Sequence, residues 1–143
     1  WLDVLDLVAA TGAVAGDRVG VFGSSMGSRY GIPVAAALGD RLRCAVFGTL
    51  GLEQSELIDR RVHNAERIAA AARRITAPLL QHVQWDDEIY QRRGQFDLFG
   101  EFAAADKQLR ARTGPHAGAG LDDEEAWAAF LIQHLAPTTT ETR

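Results

Sequence analysis

At 143 residues, with a single cysteine and a net charge of −4 in which acids and bases are intermixed, the chain has the length of one domain able to bury a core. That composition excludes an internal disulfide and a cysteine-rich metal site. It carries neither the basic footprint of a nucleic-acid binder nor that of a membrane-surface protein, so a small molecule is the expected partner, with no oligomeric state implied.

Trp1, Val4, Leu5, Val8 and Ala9 recur at helical spacing with Asp3 and Asp6 opposite, which predicts an amphipathic helix ending near Gly12. The chain opens inside this pattern and without Met, as the interior of a longer protein would. It also lacks the basic start of a signal peptide, and no run reaches the length of a membrane span, so the default location is cytoplasmic.

Gly16-Asp17 then signals a turn, and Val19, Val21 and Phe22 form a short run suited to a buried parallel strand. It stops at Gly23-Ser24-Ser25-Met26-Gly27, after which Met26 to Leu38 reads as a helix of small residues interrupted only by Pro33. A serine hydroxyl attacks only when a base takes its proton, so it must stand clear of the backbone, and a sharp strand-to-helix turn puts it there. In the pattern G-x-S-x-G, Gly23 and Gly27 flank Ser25, where side chains are expected to collide with the neighbouring strand and helix. The amide of Met26 then starts a helix and can face a developing oxyanion. A Gly-rich turn of a nucleotide-binding fold is the competing reading, although neither G-x-G-x-x-G nor Gly-Lys-Ser/Thr is present.

Gly39-Asp40-Arg41 closes this helix and Leu42 to Phe47 predicts a second buried strand, with Cys44 as a small buried hydrophobe. From Glu53 to Arg74 the pattern is helical: Leu57, Ile58, Val62, Ala65, Ile68, Ala69 and Ala72 form one stripe, in a segment placed to roof a pocket, and His63 reads as a surface or rim residue. Leu79 to Val83 predicts a third strand running into Trp85-Asp86-Asp87-Glu88. An acidic cluster at the carboxyl end of a parallel strand is either functional or the cap of the next helix, Gln91 to Phe102. Lys107 to Arg112 is a fourth strand, followed by Thr113-Gly114-Pro115-His116-Ala117-Gly118. His116, in a Gly/Pro loop after a strand, suits a base better than His82 within a strand or His134 within the closing helix, Leu121 to Leu135. Residues 1–136 therefore read as one domain and 137–143 as a polar tail. There is no internal repeat, the three Trp residues form no stacking platform, no His/Asp/Glu cluster has metal-ligand spacing, and no cofactor is implied.

Three strand ends thus carry a serine, an acid and a histidine in that chain order. With Gly23-Ser24-Ser25-Met26-Gly27, Pro78-Leu79-Leu80 through Asp86-Asp87-Glu88-Ile89-Tyr90, and Lys107 to His116, the chain resembles the C-terminal part of an α/β-hydrolase of the bacterial esterase, lipase and dienelactone-hydrolase type. The resemblance implies an α/β class, three-layer α/β/α fold with a mostly parallel sheet, here lacking the N-terminal strands and so exposing an apolar edge beside the nucleophile strand. It implies a serine hydrolase acting on a carboxylic ester or related acyl substrate, with Ser25 as nucleophile, His116 as base, Asp87 as the acid and Asp86 as its alternative, Met26 N–H as one oxyanion donor, and no metal. Laying Ile89 and Tyr90 on the family's apolar pair selects Asp87, although Gln84 and Gln91 replace the customary Gly and Pro. Dienelactone hydrolases proper carry a cysteine where Ser25 stands. A non-catalytic binding module of the same fold is the alternative function.

Overall fold

The computed structural model describes residues 1–59 and 63–136; Val62 of the expected helical stripe and the polar tail 137–143 lie outside them. In chain order the elements are α1 (Leu2–Ala10), β1 (Val19–Ser24), α2 (Met26–Leu38), a single 3-10 turn (Gly39–Arg41), β2 (Leu42–Gly48), α3 (Ala65–Ala72), β3 (Leu79–Gln84), α4 (Arg92–Glu101), β4 (Lys107–Arg112) and α5 (Leu121–Leu135). The strands form one parallel sheet in the order β1-β2-β3-β4, so every successive strand is reached by a helical crossover.

Strand alternation divides the core into two layers. Ala45, Phe47 and Leu79 project towards α2, α3 and α4, where Ile32, Ala35, Ile68, Ala72 and Leu98 are buried and Phe47 stacks on Phe102 at 5.9 Å. Cys44, Val46 and Leu80 project the other way and meet Trp127 and Phe130 of α5. Burial pushes the Cys44 thiol up to about 11, which leaves it a neutral packing group. Leu131 and Leu135 of α5 lie against Gly20, where a Cβ would sit 2.9 Å from Leu135 Cδ1. The Arg18 guanidinium, donating to the Leu135 carbonyl, fastens the end of that helix.

The central strands β2 and β3 are covered on both faces, with Arg43 the one exposed residue in them, whereas β1 and β4 are half-exposed edges. Along β1 the open side is apolar: Trp1, Leu2 and Leu5 of α1, Val21 and Phe22 of β1 and Tyr30 of α2 line a groove. No residue of α1 is buried: Leu5 packs against the rim of the core and, with Leu2, lines the groove, while Val4 and Val8 remain exposed. α1 is held further by Arg41, whose guanidinium meets Asp6 Oδ1 at 2.7 Å and, after the helix, the Gly16 carbonyl at 2.7 Å.

The helix expected over Glu53–Arg74 is confined to Ala65–Ala72. Long-range hydrogen bonds claim the backbone before it. Leu52 N–H donates to the Gly94 carbonyl at 2.9 Å, Ser55 N–H to the Ile89 carbonyl at 2.8 Å, and Gln54 pairs with Tyr90 as an isolated antiparallel bridge. A Cβ on Gly94 would come within 2.4 Å of Glu53 N, so the chain passes directly over the start of α4. α2, by contrast, runs through Pro33, giving up one ladder hydrogen bond to the Arg29 carbonyl.

Candidate active site

β1 ends in a turn that its sequence forces to be tight. A Cβ on Gly23 would lie 2.5 Å from the carbonyl carbon of Gly27, so only glycine lets the strand pass that close to the helix it feeds. Ser25 takes φ 53° and ψ −113°, a strained backbone for a residue with a side chain, while its N–H donates to the Gly48 carbonyl at 2.9 Å. The expected collision at Gly27 does not occur: a Cβ there meets nothing within 4 Å, because this residue lines the open groove beside β1.

The strained turn is braced from the β2 side. Ser28, fully buried one turn into α2, accepts the Gly48 N–H at 3.0 Å and lies 2.8 Å from both the Gly23 and Gly48 carbonyls, one of which takes its proton. Ser24 Oγ lies 3.0 Å from Thr49 Oγ1, and Thr49 itself holds φ 47°, rare for a β-branched residue. The sequence patterns assign neither Ser28 nor Thr49 a part. A serine three residues past Ser25 is the available signal for the first, and nothing local marks the second.

From the far strands come two loops. His116 Nε2 lies 2.7 Å from Ser25 Oγ, and its Nδ1 lies 2.9 Å from Asp87 Oδ2. An ionised Asp87 only accepts, so Nδ1 carries the proton and Nε2 presents its lone pair to the serine hydroxyl. Asp87 Oδ1 accepts the Ile89 and Tyr90 N–H groups, each at 2.8 Å, so the carboxylate is oriented before it meets the imidazole. Its side chain is fully buried, and that of His116 is 14 % exposed.

Gln95 of α4, also fully buried, closes the acid loop at its neck. Its Nε2 donates to the Tyr90 carbonyl at 2.8 Å and the Gln84 carbonyl at 3.1 Å, and lies 3.5 Å from Asp87 Oδ2. Tyr90 continues the scaffold: its hydroxyl accepts from Arg29 Nη2 at 2.8 Å, and its ring stands 5.8 Å from the His116 ring.

Asp86 is not directed at the histidine ring. Its Oδ2 accepts the Gly114 N–H at 3.2 Å, while Glu88 Oε2 accepts the His116 backbone N–H at 2.9 Å. That N–H and the N–H of Glu88 itself hold the Glu88 carboxyl below its ordinary range. His63 and His134 lie elsewhere. His82 is wholly buried against Trp127 on the α5 side, neither ring nitrogen has a hydrogen-bond partner, and burial lowers its pKa. Met26 is the first residue of α2, where N–H groups have no acceptor within the helix.

Layer order, parallel sheet and the strand–turn–helix around Ser25 together define part of an α/β-hydrolase fold. Solved structures agree. The chain is similar to a cold-adapted esterase from an Arctic intertidal metagenomic library, solved with zinc bound, at 29 % identity and a TM-score of 0.77, over 95 % of this chain and 56 % of that one. It is also similar to a monoacylglycerol lipase of Paleococcus ferrophilus (19 % identity, TM-score 0.71, 94 % of this chain and 73 % of that one). An acetyl xylan esterase of Paenibacillus sp. R4 is similar as well (21 % identity, TM-score 0.73, 94 % and 51 %). At the identities of the latter two the likeness is one of fold. The chain spans little more than half the length of the Arctic esterase. No family model and no curated protein matches the sequence. Among the described residues no group of three or more His, Cys, Asp or Glu could hold a metal ion, and no helix is long and apolar enough to cross a membrane.

Proposed function

We propose that this chain carries the reacting groups of a serine hydrolase acting on a carboxylic ester or related small-molecule acyl substrate. One observation carries the reading: the unbroken line from Ser25 Oγ through His116 to Asp87, with spacings of 2.7 and 2.9 Å. The likeness to the Arctic esterase supports an ester as the bond broken.

In this reading His116 Nε2 takes the Ser25 proton as Oγ attacks the carbonyl carbon. Asp87 keeps the imidazole in the correct tautomer and stabilises its positive charge. The tetrahedral intermediate carries its negative oxygen towards the Met26 N–H, a donor of a kind worth about 3 kcal/mol in the transition state. Collapse expels the alcohol, which receives the proton from Nε2 and leaves an acyl group on Ser25. Water, deprotonated by His116, then attacks the acyl carbon, and Ser25 leaves with the proton returned to it.

Mass-spectrometric localisation of a fluorophosphonate adduct tests this. The adduct is expected on Ser25, absent in Ser25→Ala, and formed about 10⁴-fold more slowly in Asp87→Asn, which disturbs the imidazole tautomer. A folded chain that gains no adduct, or gains it on another residue, sinks the reading.

A further inference from the structure

The loop that mounts His116 has no buried residue between Thr113 and Gly118. It contains Gly114 at φ 137° and a turn closed by Gly118 N–H on the Pro115 carbonyl at 2.8 Å, so apart from the His116 ring beside Tyr90 little side-chain packing holds it. A base that must stay within a few tenths of an ångström of its partner needs some other restraint.

That restraint comes from the neighbouring loop. Trp85 N–H donates to the Arg112 carbonyl at 2.7 Å, and Asp86 N–H to the Gly114 carbonyl at 3.0 Å, continuing the β3–β4 pairing past the strand ends. Beyond this point the backbone ladder stops and side chains take over, as the Asp86 and Glu88 carboxylates accept the Gly114 and His116 N–H groups. Bonds from N–H to an ionised carboxylate are the stronger kind.

We propose that Asp86 and Glu88 are positioning residues that clamp the histidine loop. Three consecutive carboxylates then act on one side chain, Asp87 by facing the imidazole and its two neighbours by holding the backbone on which that imidazole is mounted. The consequence for catalysis rests on the triad reading above. The clamp itself is a statement about geometry and can be tested separately. Both residues are exposed, so replacing them leaves the core intact.

The direct test is the proton NMR signal of His116 Nδ1–H, shifted downfield by its bond to Asp87 and assigned by its loss in Asp87→Ala. Glu88→Ala is expected to broaden or abolish this signal and to slow fluorophosphonate labelling of Ser25 about tenfold. Glu88→Gln, which keeps an acceptor oxygen, is expected to restore both. Asp86→Ala is expected to act in the same direction but more weakly, since its 3.2 Å bond reaches the loop two residues from the ring. If turnover is measured, the loss falls on kcat with KM unchanged, because the clamp does not touch substrate.

An unaltered signal and labelling rate in Glu88→Ala overturns the clamp, as does absence of the Nδ1–H signal from the unmodified protein or failure of Glu88→Gln to rescue. Failure of the triad reading looks different: the signal responds to Glu88, yet no adduct forms on Ser25.

Discussion

The two sides of β1, the strand that runs into Ser25, are built on opposite principles. Towards β2, β3 and β4, hydrogen bonds from neighbouring elements hold the surroundings of Ser25: Ser28 of α2 braces the turn, Gln95 of α4 closes the acid loop, and the three carboxylates at 86–88 grip the histidine loop. Towards the free edge of β1 there is no such engagement. Phe22 is 53 % exposed, Tyr30 65 % and Trp1 84 %, and Gly27 looks into open space. The groups that orient the His116 imidazole are thus held from the β2–β4 side, while the strand that runs into Ser25 is supported from one side only. An edge strand with unpaired N–H and C=O groups beside an apolar groove is also a surface that water disfavours.

It follows that equally small changes on the two sides have unequal costs. On the closed side, Gln95→Leu removes the donor to two buried carbonyls and is expected to cost about 3 kcal/mol of stability, read as a drop in the denaturant midpoint at constant slope. A cost below about 0.5 kcal/mol would mean that the acid loop is closed by its other contacts.

Acid gives the next effect. Buried His82 has its pKa lowered first by burial and then by Arg110 and Arg112, with Asp123 opposing them. The native state therefore refuses a proton that the unfolded chain accepts. Stability is full above the unfolded value of 6.5 and declines as pH falls below it towards the lowered native pKa, by at most about 1.4 kcal/mol per pH unit. Asp123 adds to this only at lower pH. Burial alone would raise its pKa, but Arg110, the Gly120 N–H, His82 and Arg112 bring it below 3.8, so its contribution disappears as pH falls through that lowered value. Thermal unfolding midpoints between pH 7 and 5 are expected to fall in the unmodified chain and to flatten in His82→Leu; parallel slopes would exclude His82 as the source.

The smallest effect belongs to the open side. Tyr30→Lys is expected to leave stability within about 0.5 kcal/mol of the unmodified chain. It should nonetheless weaken concentration-dependent self-association in sedimentation velocity, because it places charge in the groove beside β1. Association that is unchanged in this variant would place the sticky surface elsewhere.

Local chemistry made much of this readable from residues alone. The Gly23–Gly27 turn is a matter of sterics within five residues. α5 announces itself by acids in its first turn, and the Gly/Pro setting of His116 separates it from His82 and His134 without any tertiary information. The strand–helix alternation was legible for the same reason, since each buried run is short and bounded by turn residues. The stretch around residues 52–55 was not legible, because its helical periodicity yields to hydrogen bonds with Ile89, Tyr90 and Gly94, some forty residues away in the chain. The third strand was legible over Leu79–Val83, but not that the polar side chains of Gln81, His82 and Gln84 would be fully buried in it.

The carboxylates at 86–88 mark the boundary most sharply. As residues they are near equivalents, and in the sequence only the register of the resemblance, through Ile89 and Tyr90, singles out Asp87, with Asp86 as its alternative. Only the fold, by setting the histidine loop against one end of β3, presents a ring nitrogen to one of them and backbone N–H groups to the other two. Turns and periodicity are short-range properties that a sequence carries within itself. The partner of a polar side chain is decided by whichever distant segment the packed sheet brings within 3 Å, and that is settled only when the chain is folded.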